Sequence, residues 1–336
     1  MIYACLPPAP GGKPRPLPFY LAMEEHLARN YSGEYFFMWQ VDPTVIFGRC
    51  QNPFAEVNLD YCRREGISTY RRKSGGGCVY ADPDNIMMSY ITSSDRVTTT
   101  FTRYCDMVAD TLRQLGLDAS ATGRNDILIG DRKVSGNAFY HLHGRGIVHG
   151  TMLFDADPAR MAMALTPSEA KLRAKGVNSV RSHVTTISEH LPYMTIDRFL
   201  EHCRNRLCDS EQQMTPDDIA EIRHIAEEYF TDEWIWGRYS GERNTCRRID
   251  GVGEFAVSAD LIPPLRPGDP PRIRKVNLQG DFFLLSDLDE GLLDRLKDVP
   301  LTRQAITQAL SESQPEDVIS GLTKEELTTL LLTALT

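Results

Sequence analysis

The stretch DILIGDRKVSGNAFYHLHGRGIVHGTMLF, residues 126–154, constrains the fold of this chain most. Apolar and polar residues alternate through it, with turn signals at Gly130-Asp131 and at His143-Gly144-Arg145. A period of two marks a half-buried strand, and a tight Gly-containing turn joins two such runs as antiparallel neighbours. Three consecutive antiparallel strands are therefore expected. EYFFMWQV, TVIFGR, STYRRKS, CVYA and NIMMSYIT read as further strands.

Helical periodicity flanks these strands. In FYLAMEEHLARN (19–30), Leu21, Ala22, Met23 and Leu27 mark one buried face. Residues 98–116 carry Phe101, Cys105, Val108 and Leu112 on one stripe and stop at Gly116. NLDYCRREG is a short helix ending at Gly66, and TIDRFLEHCRNRLC is a longer one. TPDDIAEIRHIAEEYF has Thr215 as its cap and Pro216 at its first position. Clustered strands with helices outside them give an α+β class, a large domain of mixed and antiparallel sheets flanked by helices.

At 336 residues the chain is too long for one typical domain. The expected division is 1–247 and 248–336. The second part has two strands, GEFAVSADLI and PRIRKVNLQGDFFLL, split by PPLRPGDPP. Three helical segments follow, the last opened by a capping box from Thr323 to Glu326. This is a small α+β domain.

A net charge of -9 argues against a general nucleic-acid binder and leaves room for local basic patches. No apolar run is long enough to span a membrane. The N-terminus lacks a charged start followed by an apolar core, so no leader is expected. Eight cysteines are scattered without a C-x-x-C pair, which disfavours a zinc site and fits reduced cysteines in the cytoplasm.

Several segments carry candidate chemistry. TYRRKSGGGCVYADPDN (69–85) sets Gly75, Gly76 and Gly77 between strands, behind Arg71, Arg72 and Lys73. It is neither G-x-x-x-x-G-K-[ST] nor G-x-G-x-x-G. A hairpin turn does not need three glycines. Close backbone approach to a bulky anionic ligand does use them, and guanidinium groups match phosphate. In DRKVSGNAF, alternation sets Lys133 on one face with Ser135 and Asn137, opposite Val134. Asp126 opens the strand before it, where a lone carboxylate could hold a nucleotide's Mg²⁺ or simply serve a turn. His141, His143 and His149 lack a Cys or Glu at ligand spacing, so hydrogen-bonded histidines are the better reading. KLRAKGVNSVRSHVT (171–185) carries Lys171, Arg173, Lys175 and Arg181 around Gly176. It reads as a solvated basic loop or as a lid over an anion.

Together, RRKSGGGCVYADPDN, GRNDILIGDRKVSGNAFY, HGTMLFD and KGVNSVRSHVTTI resemble, in order and spacing, the lipoate–protein ligase family. FYLAMEEHL and VIFGRCQNPFAEVN are similar to its N-terminal motifs, and GDFF with the closing helices to its small accessory domain. The resemblance implies a fold shared with biotin ligases and class II synthetases. It implies that lipoate and ATP give lipoyl-AMP. The lipoyl group then passes to a lysine of a carrier domain of 2-oxoacid dehydrogenases or of the glycine cleavage system. ATP, Mg²⁺ at Asp126 and a monomeric state are expected with it. On the nucleotide side it implies Arg72, Gly77, Cys78, Val79, Tyr80, Asn85, Lys133, Lys175, Gly176, Val177 and Ser179. On the lipoate side it implies Ser74, Gly75, Gly76, Lys133, Ser135, Gly136, His149 and Gly150. Lys133 would reach both lipoyl carbonyl and phosphate, and Gly75 and Gly76 would let the lipoyl chain lie against the backbone. Ala81, Asp84 and Cys78 depart from the family pattern, which bears on substrate preference. The alternatives are a transferase that uses a preformed acyl-adenylate or acyl carrier, and a non-catalytic binder.

Overall fold

The computed structural model describes residues 1–94, 97–122, 125–165, 184–237, 246–264 and 266–335. The chain divides into two units, the first comprising Met1–Phe47, Glu56–Arg72 and Cys78–Arg238. The second comprises Gly48–Ala55, Lys73–Gly77 and the C-terminal stretch. Two short excursions of the chain thus belong with the C-terminal unit, where the sequence suggested one cut at 247/248.

The strands of the first unit are β1 (Ile2–Cys5), β2 (Tyr35–Trp39), β3 (Thr44–Phe47), β4 (Ser68–Arg71), β5 (Val79–Ala81), β6 (Asn85–Thr92), β7 (Ala119–Ala121), β8 (Asp126–Ile129), β9 (Arg132–Leu142), β10 (Arg145–Leu153) and β11 (Ser210–Gln213). Its longer helices are α1 (Leu17–Asn30), α2 (Val97–Arg113), α3 (Ile196–Leu207) and α4 (Pro216–Tyr229). Eight strands form one sheet in the order β11-β1-β2-β6-β10-β9-β8-β7, and β4-β3-β5 form a smaller one. The large sheet is mixed: β1 runs parallel to β11 and β2, while β6 to β10, β10 to β9 and β9 to β8 are antiparallel.

The expected three-strand meander is β8-β9-β10. Its second turn has His143 at φ 50° and Gly144 at φ 73°, both left-handed, as a two-residue turn that follows strand twist requires. The first turn places Gly130 at φ 61°. β9 is not regular, however. Ile127 pairs with Ser135 and Leu128 with Lys133, so Val134 is an extra residue and the register shifts there.

Helices cover both faces of the sheet. On one, Phe37, Trp39, Met87, Ile91 and Tyr140 pack with Leu21, Met23 and Leu27 of α1 and with Ile219 and Ile222 of α4. On the other, Phe36, Met88, Val134, Phe139, Val148 and Met152 pack with Cys105, Val108 and Leu112 of α2 and with Phe199 and Cys203 of α3. Such alternation along the strands buries both faces, so each helix presents an apolar stripe to the sheet. The cap expected on α4 is present: Thr215 and Asp218 close a capping box with Pro216 behind it.

The second unit has β12 (Cys246–Ile249), β13 (Gly253–Ile262) and β14 (Arg272–Gly280) in one antiparallel sheet. Helix α5 (Lys324–Leu335) packs Leu327, Leu330 and Leu331 on a core with Phe255, Leu278 and Phe282. The expected capping box from Thr323 to Glu326 opens this helix.

Candidate active site

The bulge at Val134 decides which side chains can act together. Residues directly opposite across antiparallel strands share a face. Asp126 pairs with Gly136 and Leu128 with Lys133, so Asp126, Lys133 and Gly136 share one face. The register continues that face through Thr151 and His149 of β10 to Met87, Ser89 and Asn85 of β6. Unbroken alternation would have set Lys133 beside Ser135 and Asn137. The structure corrects this: the extra residue turns both to the opposite face. There Asn137 Nδ2 donates to the Asn125 carbonyl at 3.0 Å. Gly150 lies opposite Asn137, and a Cβ on it would fall within 1.8 Å of Asn137 Oδ1. Its lack of a side chain serves that amide.

Lys133 Nζ lies 2.6 Å from Asp126 Oδ1, both side chains mostly buried. The ammonium passes directly over Gly136, where a Cβ would lie 2.5 Å from Nζ. The Lys133 carbonyl accepts from Thr185 N–H at 2.8 Å.

Sequence reasoning missed Glu24. This carboxylate of α1 is fully buried. It meets His149 Nδ1 at 2.9 Å and accepts from Ser89 Oγ at 2.5 Å and Tyr140 OH at 3.2 Å. Trp39 Nε1 donates to Ser89 Oγ at 3.0 Å. Burial and the nearby Glu24 charge push the Tyr140 phenol well above its usual range. The signal was available: Glu24 lies three residues from both Leu21 and Leu27, inside the apolar stripe, where an ionisable side chain demands partners.

The basic cluster divides its work. Arg71 caps carbonyls of residues 232–236: its Nη2 donates to the Ile235 carbonyl at 2.8 Å, and its guanidinium stacks over Phe47 at 4.7 Å. Arg72 is buried and donates to the Ile46 carbonyl at 3.1 Å. Burial lowers its pKa to about 10, which leaves it charged at neutral pH.

At the β5–β6 turn, Asp82 accepts from Asp84 N–H at 3.1 Å and Asn85 Nδ2 at 3.0 Å. That fixes the Asn85 amide with Oδ1 buried and unpartnered. Burial raises the Asp82 carboxyl above its usual range. Val79 and Tyr80 lie in β5, and Cys78 packs beside Tyr80.

The glycine loop belongs to the second unit. Gly76, at φ 83°, donates its N–H to the Phe282 carbonyl at 2.9 Å. A Cβ on Gly75 would stand 2.5 Å from the Phe282 oxygen and 2.8 Å from Leu284 N. The close approach Gly75 permits here is therefore to the chain's own backbone. Ser74 is buried, and its carbonyl accepts from Arg49 N–H at 2.8 Å. Gly77 has open space around its Cα. Lys175, Gly176, Val177 and Ser179 lie outside the described residues, as does the basic loop around them.

A sheet face carrying Lys133, in a unit that also buries the charged Arg72 guanidinium, suits an anionic ligand, and the unpartnered Asn85 Oδ1 suits a hydrogen-bond donor on it. Two family profiles match this chain: the lipoyl protein ligase A/B catalytic domain over residues 16–208, and the bacterial lipoate protein ligase C-terminus over residues 270–331. The chain belongs to the lipoate–protein ligase family. It is 32% identical to the lipoate-protein ligase LplJ of Bacillus subtilis over 93% of this chain and 95% of that one. LipL1 of P. falciparum, solved in complex with lipoate, superposes with a TM-score of 0.76 at 18% identity, covering 99% of both chains. A lipoate-protein ligase A solved with ATP gives a TM-score of 0.58 at 25% identity, covering 70% of this chain and 96% of that one. The biotin/lipoate ligase-like fold expected from the sequence is thus the fold observed. No helix among the described residues is long and apolar enough to cross a membrane.

Proposed function

We propose the following course for the ATP-dependent ligation of lipoate by this chain. A lipoate carboxylate oxygen attacks the α-phosphorus of ATP. The bond to the bridging oxygen of pyrophosphate breaks, and pyrophosphate leaves with the electron pair. The neutral amine of a carrier lysine then attacks the lipoyl carbonyl carbon of lipoyl-AMP. The carbon–oxygen bond to AMP breaks, AMP leaves, and water takes the amine's proton.

Both reactants of the first step are anions. Arg72 and Lys133 offset their repulsion, Lys133 by donating to the lipoyl carbonyl and the phosphate. Backbone groups of Gly77, Cys78, Val79 and Tyr80 line the nucleotide, with Asn85 Oδ1 accepting a donor from it. Lys175, Gly176, Val177 and Ser179 are assigned to the nucleotide by the family resemblance alone. Gly136 and His149 line the lipoyl chain, with Ser135 and Gly150 contributing through their backbone.

Mg²⁺ accompanies the triphosphate and neutralises part of its charge when bound. Asp126 fits as its protein ligand through one oxygen, since the other already meets the Lys133 ammonium at 2.6 Å. The acceptors are lipoyl carrier domains of 2-oxoacid dehydrogenases and of the glycine cleavage system. The enzyme acts as a monomer in the cytoplasm.

The observation that carries this reading is the convergence of Asn85, Asp126, Lys133 and His149 on one sheet face. Lipoate-dependent ATP–pyrophosphate exchange by the purified chain tests it. Exchange is expected with lipoate and absent without it. Failure to exchange, with transfer from preformed lipoyl-AMP intact, would make the protein a transferase instead.

A further inference from the structure

The chain fixes Lys133 at every available point. Its backbone lies in β9 beside Leu128 of β8, pairs with Val184 on the other side, and accepts from Thr185 N–H at 2.8 Å. The bulge at Val134 rotates its side chain onto the face of Asp126 and Gly136. The arm then crosses Gly136 so closely that a Cβ there would stand 2.5 Å from Nζ and 2.7 Å from Cε. Its ammonium ends 2.6 Å from Asp126 Oδ1, and both side chains are less than a fifth exposed.

A free lysine arm samples many rotamers, and freezing them on ligand arrival would weaken binding. Here Gly136 and Asp126 restrict the arm. Gly136 supplies a slot that only a residue without Cβ leaves open. Asp126 supplies a carboxylate 2.6 Å from Nζ at the end of the slot. The contact with Asp126 is an ion pair at 2.6 Å with no hydrogen bond to Oδ1, so the three ammonium protons can face a ligand's anionic oxygens.

We propose that Asp126 and Gly136 form a mount that positions Lys133, and that Asp126 contributes to ligand binding mainly through Lys133. This rests on the reading of Lys133 as a ligand-contacting residue given under the proposed function. It is separate from the Mg²⁺ ligation proposed for the other Asp126 oxygen, an effect that would not depend on Lys133 being present.

The test is a double-mutant cycle in the full chain, read as affinity for a non-hydrolysable acyl-sulfamate analogue of lipoyl-AMP by calorimetry. Lys133→Ala alone checks the underlying reading and should weaken binding. Asp126→Asn should weaken binding about tenfold or more when Lys133 is present, and less than about twofold in the Lys133→Ala background. Gly136→Ala reaches Lys133 from the other side and should show the same dependence on background. It carries the test if Asp126→Asn does not fold.

Equal factors in both backgrounds would overturn the mount. So would a change confined to the Mg²⁺ half-saturation of pyrophosphate exchange, with analogue affinity unaltered. Unchanged binding by Lys133→Ala would remove the Lys133 reading itself, and the mount with it. That outcome differs from one in which Lys133 matters and its neighbours act independently.

Discussion

Glu24 of α1 and His149 of β10, 125 positions apart, meet in the buried interior with the carboxylate 3.0 Å or less from Nδ1. The pair ties helix to sheet and fixes the orientation of the His149 ring. Ser89 and Tyr140 complete the carboxylate's shell.

Removing that carboxylate should be costly. Glu24→Ala leaves His149, Ser89 and Tyr140 with buried polar atoms lacking their acceptor. Breaking a buried pair by removing one partner costs about 3–5 kcal/mol, and a loss of that size is expected. Urea unfolding measures it; a loss below about 1 kcal/mol would show that the network is not stabilising.

Lys133→Ala should lower lipoate-dependent pyrophosphate exchange by at least about a hundredfold, the usual effect of losing one preorganised charge stabiliser. Circular dichroism establishes that the variant is folded. Near wild-type exchange would remove Lys133 from the adenylation step.

The glycine loop separates two kinds of glycine. Gly75→Ala must displace backbone, since its Cβ would stand 2.5 Å from the Phe282 oxygen. A loss of about 1–3 kcal/mol is expected. Gly77→Ala meets nothing within 4 Å and should stay within about 0.5 kcal/mol of wild type. Thermal unfolding of the two variants side by side decides it, and equal melting temperatures would contradict the packing of Gly75.

Asp218 supplies a pH test. Burial raises its pKa, but hydrogen bonds from the Thr215 backbone and side chain, His26 and Tyr31 outweigh this and hold the carboxyl at about 2, against 3.8 ordinarily. A depressed carboxyl stabilises the fold above its unfolded pKa and loses that stability as pH falls through its folded pKa. Asp218→Asn should therefore cost roughly 1–2 kcal/mol at neutral pH, and the difference from wild type should vanish between about pH 4 and pH 2. A constant difference across that window would mean that the charge is not what matters.

Cys78 is half-buried and packs against the apolar cluster that includes Tyr61 and Tyr80. Cys78→Ala should keep ATP-dependent ligation. Loss of transfer from lipoyl-AMP by a folded variant that still binds it would instead make the thiol a nucleophile.

Residues 126–154 determined their own three-strand meander, because turn residues and a two-residue period are local properties that any context preserves. The capping boxes at Thr215 and Thr323 were legible for the same reason: side chain and backbone lie three residues apart. β1 and β11 were not legible. β11 is SEQQ, a polar strand that, among the described residues, pairs with β1, more than 200 residues earlier. Nothing in four polar residues announces such a partner.

The candidate site divides the same way. Strand alternation drew attention to Lys133 and the position of Asp126 made it a candidate, while Gly136, Asn85 and His149 came from the family resemblance, because short motifs are local information. The sequence could not say which of them face each other. Val134 is an ordinary apolar strand residue, and only pairing with β8 makes it a bulge that moves Lys133 from the side of Ser135 to the side of Asp126. Glu24 was hidden in a helix stripe until packing supplied His149 as its partner. Propensity and spacing act along the chain. Face, register and the partner of a buried charge are set by contacts between distant segments, and those exist only once the chain has folded.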